Sequence, residues 1–179
     1  MSSHALADLG ISLGSFRASD LPEINSWHNF LEDRRLVMGY RFPVSEETSE
    51  IWLKDRLNAL KKDTTEVYWA IRTTLENKLI GYVSLYNIDY LNRNAEIGIY
   101  LINQRGKGIG SAVIKECAER GFKDLNLNKI YCRVLNSNHS AIKSFEKSNF
   151  IHEGILRKHF WNGNEWEDIR LMSILRDEI

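Results

Sequence analysis

The chain has 179 residues, 43% of them apolar and 27% charged, with Lys+Arg and Asp+Glu balanced at 24 each. That length suits one domain with a sizeable core, and zero net charge argues against a mainly electrostatic binder of nucleic acid or of a membrane surface. No apolar run is long enough to span a bilayer, and Met1-Ser2-Ser3-His4 lacks the charged-then-apolar layout of a signal peptide, so the expected location is cytoplasmic.

Residues 1–8 read as a loose lead-in to a single domain over 1–179, and residues 11–17 as a short strand. Asp20-Leu21-Pro22-Glu23 announces a helix, with Asp20 as its cap, Pro22 in the first turn and Glu23 closing a capping box. Leu21, Ile24, Trp27, Phe30 and Leu31 form its apolar stripe. Between Arg34 and Ser45 the pattern breaks, and cations mix with Met38, Tyr40 and Phe42, which suits either a pocket wall or a loop over the core. Ser45 caps a second helix whose first turns carry Glu46, Glu47 and Glu50, followed by Ile51, Trp52, Leu53, Leu57 and Leu60. The carboxylates favour the helix start through its dipole, and that explanation suffices without a ligand.

Strand periodicity then takes over at 67–71, 79–85 and 95–101, with turns at Glu76-Asn77 and at Asn92-Arg93-Asn94. A long helix after Gly108 shows a broad apolar arc from Ile109 to Phe122, suited to lying on a sheet. A strand at 130–134, a short helix at 140–147 and two strands within 151–174, hinged at Asn162-Gly163-Asn164, complete the order β-α-α-β-β-β-α-β-α-β-β. The expected class is therefore α/β, built on a single sheet. Cys117 and Cys132 lie among apolar neighbours and read as buried thiols, while His28, His139, His152 and His159 have no metal-ligand spacing, so no metal site is expected. Phe160, Trp161 and Trp166 suit core packing, an acceptor site or a homodimer contact.

The chemical signal is concentrated in RGKGIG, residues 105–110, between a strand and the long helix. Its glycines let successive N–H groups converge, the helix start adds unpaired N–H groups and a positive dipole end, and Arg105 and Lys107 supply charge. This is an anion cradle. It is not a P-loop, because no Lys-Ser or Lys-Thr follows in register, nor a dinucleotide fingerprint, because Gly106, Gly108 and Gly110 alternate and lie late in the chain.

R-x-x-G-x-G after a strand resembles the pyrophosphate loop of the GNAT acetyltransferase superfamily. NAEIGIYLI and NSNHSAIKSFEKSNFIHEG extend the likeness over most of the chain, and the tail GILRKHFWNGNEWEDIRLMSIL is similar to the branch of ribosomal-protein N-terminal and spermidine acetyltransferases. The resemblance implies a GNAT-like fold: a mixed, mostly antiparallel sheet of about seven strands flanked by about four helices. It implies transfer of an acetyl group from acetyl-CoA to a primary amine, a small amine or aminosugar being the first expectation. By similarity, the main chain of Ile99, Tyr100 and Leu101 pairs with pantetheine, Arg105, Gly106, Lys107, Gly108, Ile109, Gly110 and Ser111 hold the pyrophosphate, and Asn138 meets the thiol end. Glu96 stands where some members place a general base; its other reading is a salt-bridged strand residue.

One departure matters. Phe145 stands where the family usually has a tyrosine that protonates the leaving thiolate. Water, or a substitute among Ser144, Tyr86 and Tyr100, must then serve. Asn149 replaces a glycine common before Phe150, and asparagine tolerates the left-handed backbone expected there. The competing readings are a protein N-terminal acetyltransferase of the ribosomal type and a non-catalytic acyl-CoA-binding module; a nucleic-acid binder would need a basic face that the balanced charge does not offer.

Overall fold

The computed structural model describes residues 2–30, 42–57, 64–102 and 106–179. In chain order these form α1 (Ser2–Asp8), β1 (Ile11–Gly14), a 3-10 turn (Ala18–Asp20), α2 (Leu21–Asn29), α3 (Glu46–Leu57), β2 (Val67–Thr73), β3 (Leu79–Asp89) and β4 (Asn94–Leu101). There follow α4 (Ile109–Asp124), β5 (Lys129–Leu135), α5 (His139–Glu146), β6 (Ile151–Trp161) and β7 (Trp166–Leu175). The seven strands make one sheet in the order β1-β2-β3-β4-β5-β7-β6. Only β4 and β5 run parallel, as a strand pair joined through a crossover helix must.

Alternation along the strands divides the sheet into two unlike faces. Val83, Leu85, Ala95, Ile97, Ile130 and Cys132 turn to one side, where α4 lays Val113, Ile114, Cys117 and Ala118 on them with almost no solvent exposure. Tyr68, Ala70, Tyr82 and Tyr100 turn to the other and join Phe16, Ile24, Trp27, Trp52 and Leu53 from α2, α3 and the segment before them. The main core is thus aliphatic and the second one aromatic.

The chain departs from expectation in several places, among them the first strand, which ends at Gly14 and not at Arg17. Residues 2–8 are not a loose lead-in but a helix, held because Leu6 is buried in the main core. Asp20 stands at the start of α2 without capping it: its Oδ2 accepts from the Arg17 N–H at 2.7 Å and from Arg72 of β2 at 2.5 Å, a buried charge attracting the carboxylate more strongly than the helix start does. β3 runs on to Asp89 through an irregularity at Asn87, whose φ is 52°. Other local readings match: Ser45 Oγ accepts from the Thr48 N–H at 3.2 Å, Asn149 takes φ 66°, Gly163 turns the last hairpin with φ 102°, and both cysteines are buried free thiols. Phe30, Ile51 and Leu57 of the predicted stripes and Phe42 of the aromatic stretch are exposed, while Leu31, Met38, Tyr40 and Leu60 lie outside the described residues.

Candidate active site

The pairing of β4 with β5 covers only Asn94–Lys129, Ala95–Ile130 and Glu96–Tyr131. Beyond Glu96 the strands part, so residues 97–101 of β4 keep their β3 ladder but lose a partner on the other edge. Backbone groups along such an edge need hydrogen bonds, which an amide-rich ligand can supply. A cavity of about 280 Å³ occupies the gap, bounded by Gly98, Ile99 and Tyr100 of β4, Arg133 and Leu135 of β5, Asn138 and Phe145 around α5, and Tyr82, Ser84 and Tyr86 of β3.

The glycine loop leads into α4, where Gly110 lies against Ser144 and Leu101. Gly106 and Gly108 adopt φ of 80° and 75° with nothing within 4 Å of a notional Cβ, so the left-handed backbone, not crowding, calls for glycine. Among the described residues no side chain caps α4 after Gly108, and the Ser111 hydroxyl turns back to the Gly108 carbonyl at 3.0 Å. The first-turn N–H groups of a sixteen-residue helix therefore stay available to an anion beside the exposed Lys107. Arg105 lies outside the described residues.

Asn138 caps α5, its Oδ1 accepting from the Ala141 N–H at 3.1 Å, which leaves its Nδ2 donors for the cavity that it lines. Phe145 is 3% exposed and meets Phe150 edge to face at 5.0 Å. Ser144 donates to the Ser140 carbonyl at 3.0 Å and stands beside Gly110, apart from the residues that line the cavity.

Glu96 is 1% exposed. Its Oε1 accepts from the Tyr86 hydroxyl at 2.7 Å and from Arg133 Nε at 2.8 Å, and its Oε2 from Asn87 Nδ2 at 3.4 Å. The carboxylate therefore has no direct opening to the cavity; Tyr86 and Arg133 stand in front of it. Burial, followed by the Glu96 charge, pushes the Tyr86 hydroxyl well above the usual tyrosine range, and the bond from Glu96 raises Arg133. The Tyr86 ring crosses Gly98, where a Cβ would come within 3.0 Å of ring carbon Cε1. Glycine at this position is what admits the ring.

Away from β5, the cavity runs into the aromatic core. Tyr82 is its hub, with ring centroids at 5.6 Å to Trp52, 5.7 Å to Tyr100 and 6.0 Å to Tyr68. Behind them the Arg56 guanidinium lies 4.1 Å over Trp52 and 4.4 Å over Tyr68 and bonds the Tyr68 hydroxyl at 3.1 Å. Of the other aromatic candidates, Trp161 and Trp166 face each other across the last hairpin at 5.4 Å, outside the cavity lining, and Trp166 is 57% exposed. Among the described residues no three metal-ligating side chains cluster, and no helix is long and apolar enough to cross a membrane.

Of the residues named from the sequence, Ile99, Tyr100 and Asn138 line the gap, while Glu96 lies behind Tyr86 and Arg133. Sequence reasoning missed Arg133, Ser84, Tyr82 and Tyr68. The available signal was period-two alternation: Tyr82, Ser84 and Tyr86 share a face of β3, and Tyr131 and Arg133 share one of β5.

Residues 11–151 match the model of the acetyltransferase (GNAT) domain. The spermidine N(1)-acetyltransferase of Vibrio cholerae is 30% identical over 165 residues, 92% of this chain and 94% of that protein. A Bacillus subtilis protein, YdaF, whose name assigns it provisionally to ribosomal N-acetyltransferases, is 30% identical over 104 residues, 58% of this chain and 57% of its own. The crystal structure of spermidine N-acetyltransferase from Vibrio cholerae in complex with CoA and spermine superposes with a TM-score of 0.84 at 26% identity, covering 94% of this chain and 97% of that one.

Proposed function

The chain belongs to the GNAT acetyltransferase family and is an acetyl-CoA-dependent N-acetyltransferase; from that premise we propose that its acceptor is a small primary amine seated against the aromatic end of the cavity. The observation that carries this reading is the single continuous cavity of about 280 Å³, which joins the unpaired edge of β4 to Tyr68, Tyr82 and Tyr100. The edge suits an extended amide-bearing arm, and the π faces suit an alkylamine, whose cation they attract and whose methylenes they cover. A relative of similar length is named for acting on spermidine, which supports an amine of that size.

In this reading the main chain of Ile99, Tyr100 and Leu101 receives the pantetheine of acetyl-CoA. The pyrophosphate falls to residues 105–111, with Gly106 and Gly108 giving the backbone its turn and α4 its dipole. The Nδ2 donors of Asn138 meet the thioester end. Glu96 is the carboxylate assigned to the amine proton, and the family's tyrosine acid has no counterpart at Phe145.

Incubation with acetyl-CoA and a panel of polyamines, aminosugars and N-terminal peptides, monitored as free thiol, tests the reading. Turnover with polyamines or aminosugars is expected. Turnover confined to peptides would replace the acceptor with a protein N-terminus, and tight CoA binding without turnover on any amine would leave a binding module only.

A further inference from the structure

The carboxylate best placed to take a proton is sealed off, and the groups that seal it define a route. Glu96 is 1% exposed, and its Oε1 is reached by two side chains, Tyr86 from β3 and Arg133 from β5, both of which line the cavity. Three features show that this arrangement is built. The Tyr86 ring is admitted by a glycine, since a side chain at Gly98 would press on it. Asn87, held at φ 52° in the β3 irregularity, turns its Nδ2 to the other carboxylate oxygen at 3.4 Å. The β4–β5 pairing ends at Glu96 itself, so the strands open immediately in front of the cluster.

Resting on the acetyl-transfer reading, the geometry points to Tyr86 as a catalytic residue that passes the amine proton to Glu96, with Arg133 and Asn87 as positioning residues. The balance is simple. The amine nitrogen bonds to the thioester carbonyl carbon, the C–S bond breaks, and the electron pair leaves on the sulfur. As the nitrogen gives up its proton to Tyr86 Oη, the phenolic proton moves 2.7 Å to Glu96 Oε1. The reverse shift, through Tyr86 to the thiolate or to solvent, restores the cluster and leaves free CoA thiol and the amide.

The two transfers must be concerted. Burial and the Glu96 charge oppose a free phenolate on Tyr86, so the tyrosine relays a proton without ever holding a charge. Arg133, donating to Glu96 Oε1 at 2.8 Å, holds the carboxylate in place against the Tyr86 hydroxyl. Two other titratable groups share this face of β5: Tyr131, at the register position of Glu96 and itself pushed up by burial and then by Glu96, and Lys129, which is paired with Glu153. Phe145 contributes no acid to the same space, so a route that both accepts and returns a proton answers the departure noted above.

The test compares the parent with Tyr86→Phe and Glu96→Gln on the best amine of the panel. Tyr86→Phe keeps the ring and is expected to lower kcat by about 10²-fold or more with acetyl-CoA KM within about twofold. Glu96→Gln keeps a carbonyl oxygen for the Tyr86 hydroxyl but offers no carboxylate, and is expected to lose as much; the double variant should lose little further, because the two act as one unit. A proton inventory in mixed H₂O and D₂O should be curved for the parent and linear for Tyr86→Phe. An active parent with an unimpaired Tyr86→Phe, or with multiplicative losses in the double variant, overturns the relay and leaves acetyl transfer standing. A parent silent on every amine overturns acetyl transfer and the relay together.

Discussion

At the scale of single residues, Phe145 poses the sharpest question. It is 3% exposed, packs edge to face on Phe150 and also lines the cavity, at the motif position where the resemblance puts a tyrosine. Phe145→Tyr is expected to raise kcat by about tenfold where thiolate protonation limits turnover, with unfolding free energy within about 1 kcal/mol of the parent. Thiol-release kinetics beside a denaturant titration measure both. An unchanged kcat would show that the leaving group needs no dedicated acid. The sequence exposes this absence plainly, because a motif has a fixed place for each side chain. It conceals the cluster around Glu96, because Tyr86, Glu96 and Arg133 meet only through the registers of three strands, one of them joined by a crossover, and 37 positions separate Glu96 from Arg133.

At the scale of elements, the layer formed by α2 and α3 is tied by a buried polar chain. His28 Nδ1 lies 2.9 Å from Ser49 Oγ, and that hydroxyl donates to Asn25 Oδ1 at 2.9 Å, so the ring supplies the proton in the first bond. Burial, then the Arg56 charge, lowers His28 from 6.5 to about 4. The unfolded chain therefore takes up a proton from about pH 6.5 downward, whereas the folded one does not until about pH 4. Stability owed to this group is full above pH 6.5, declines as the pH falls towards 4, and levels off below it, a total of about 3 kcal/mol. His28→Gln should flatten that slope, shrinking the fall in Tm between pH 7.5 and pH 4.5 by roughly 4–8 °C, as calorimetry would read. The helices themselves were legible from Pro22, Ser45 and the apolar spacing. Their link was not, since Ser49 lies 21 positions from His28 and no local pattern pairs them.

At the scale of the whole molecule, the sheet carries two cores of different character, and the proposed function divides along the same line. The glycine loop continues into α4 on the aliphatic face, whereas the proposed amine seat belongs to the aromatic face under α2 and α3. That second layer is anchored by the ion pair of Asp20 with Arg72, at 2.5 Å with side-chain exposures of 6% and 7%. Removing one member strands a buried charge, so Asp20→Asn should cost about 3 kcal/mol, while Asp20→Leu with Arg72→Met should recover most of the loss. The loss should not be uniform. Hydrogen exchange in Asp20→Asn is expected to quicken in α2 and α3 and to stay slow in α4, because α4 draws its protection from the other core. Catalysis should follow the same division: KM for the amine rises several-fold while the Kd for CoA is held, since the edge of β4 and the turn at Gly108 do not depend on Asp20. A parallel rise in both constants would mean that the two faces open together and that the ion pair secures the sheet as a whole.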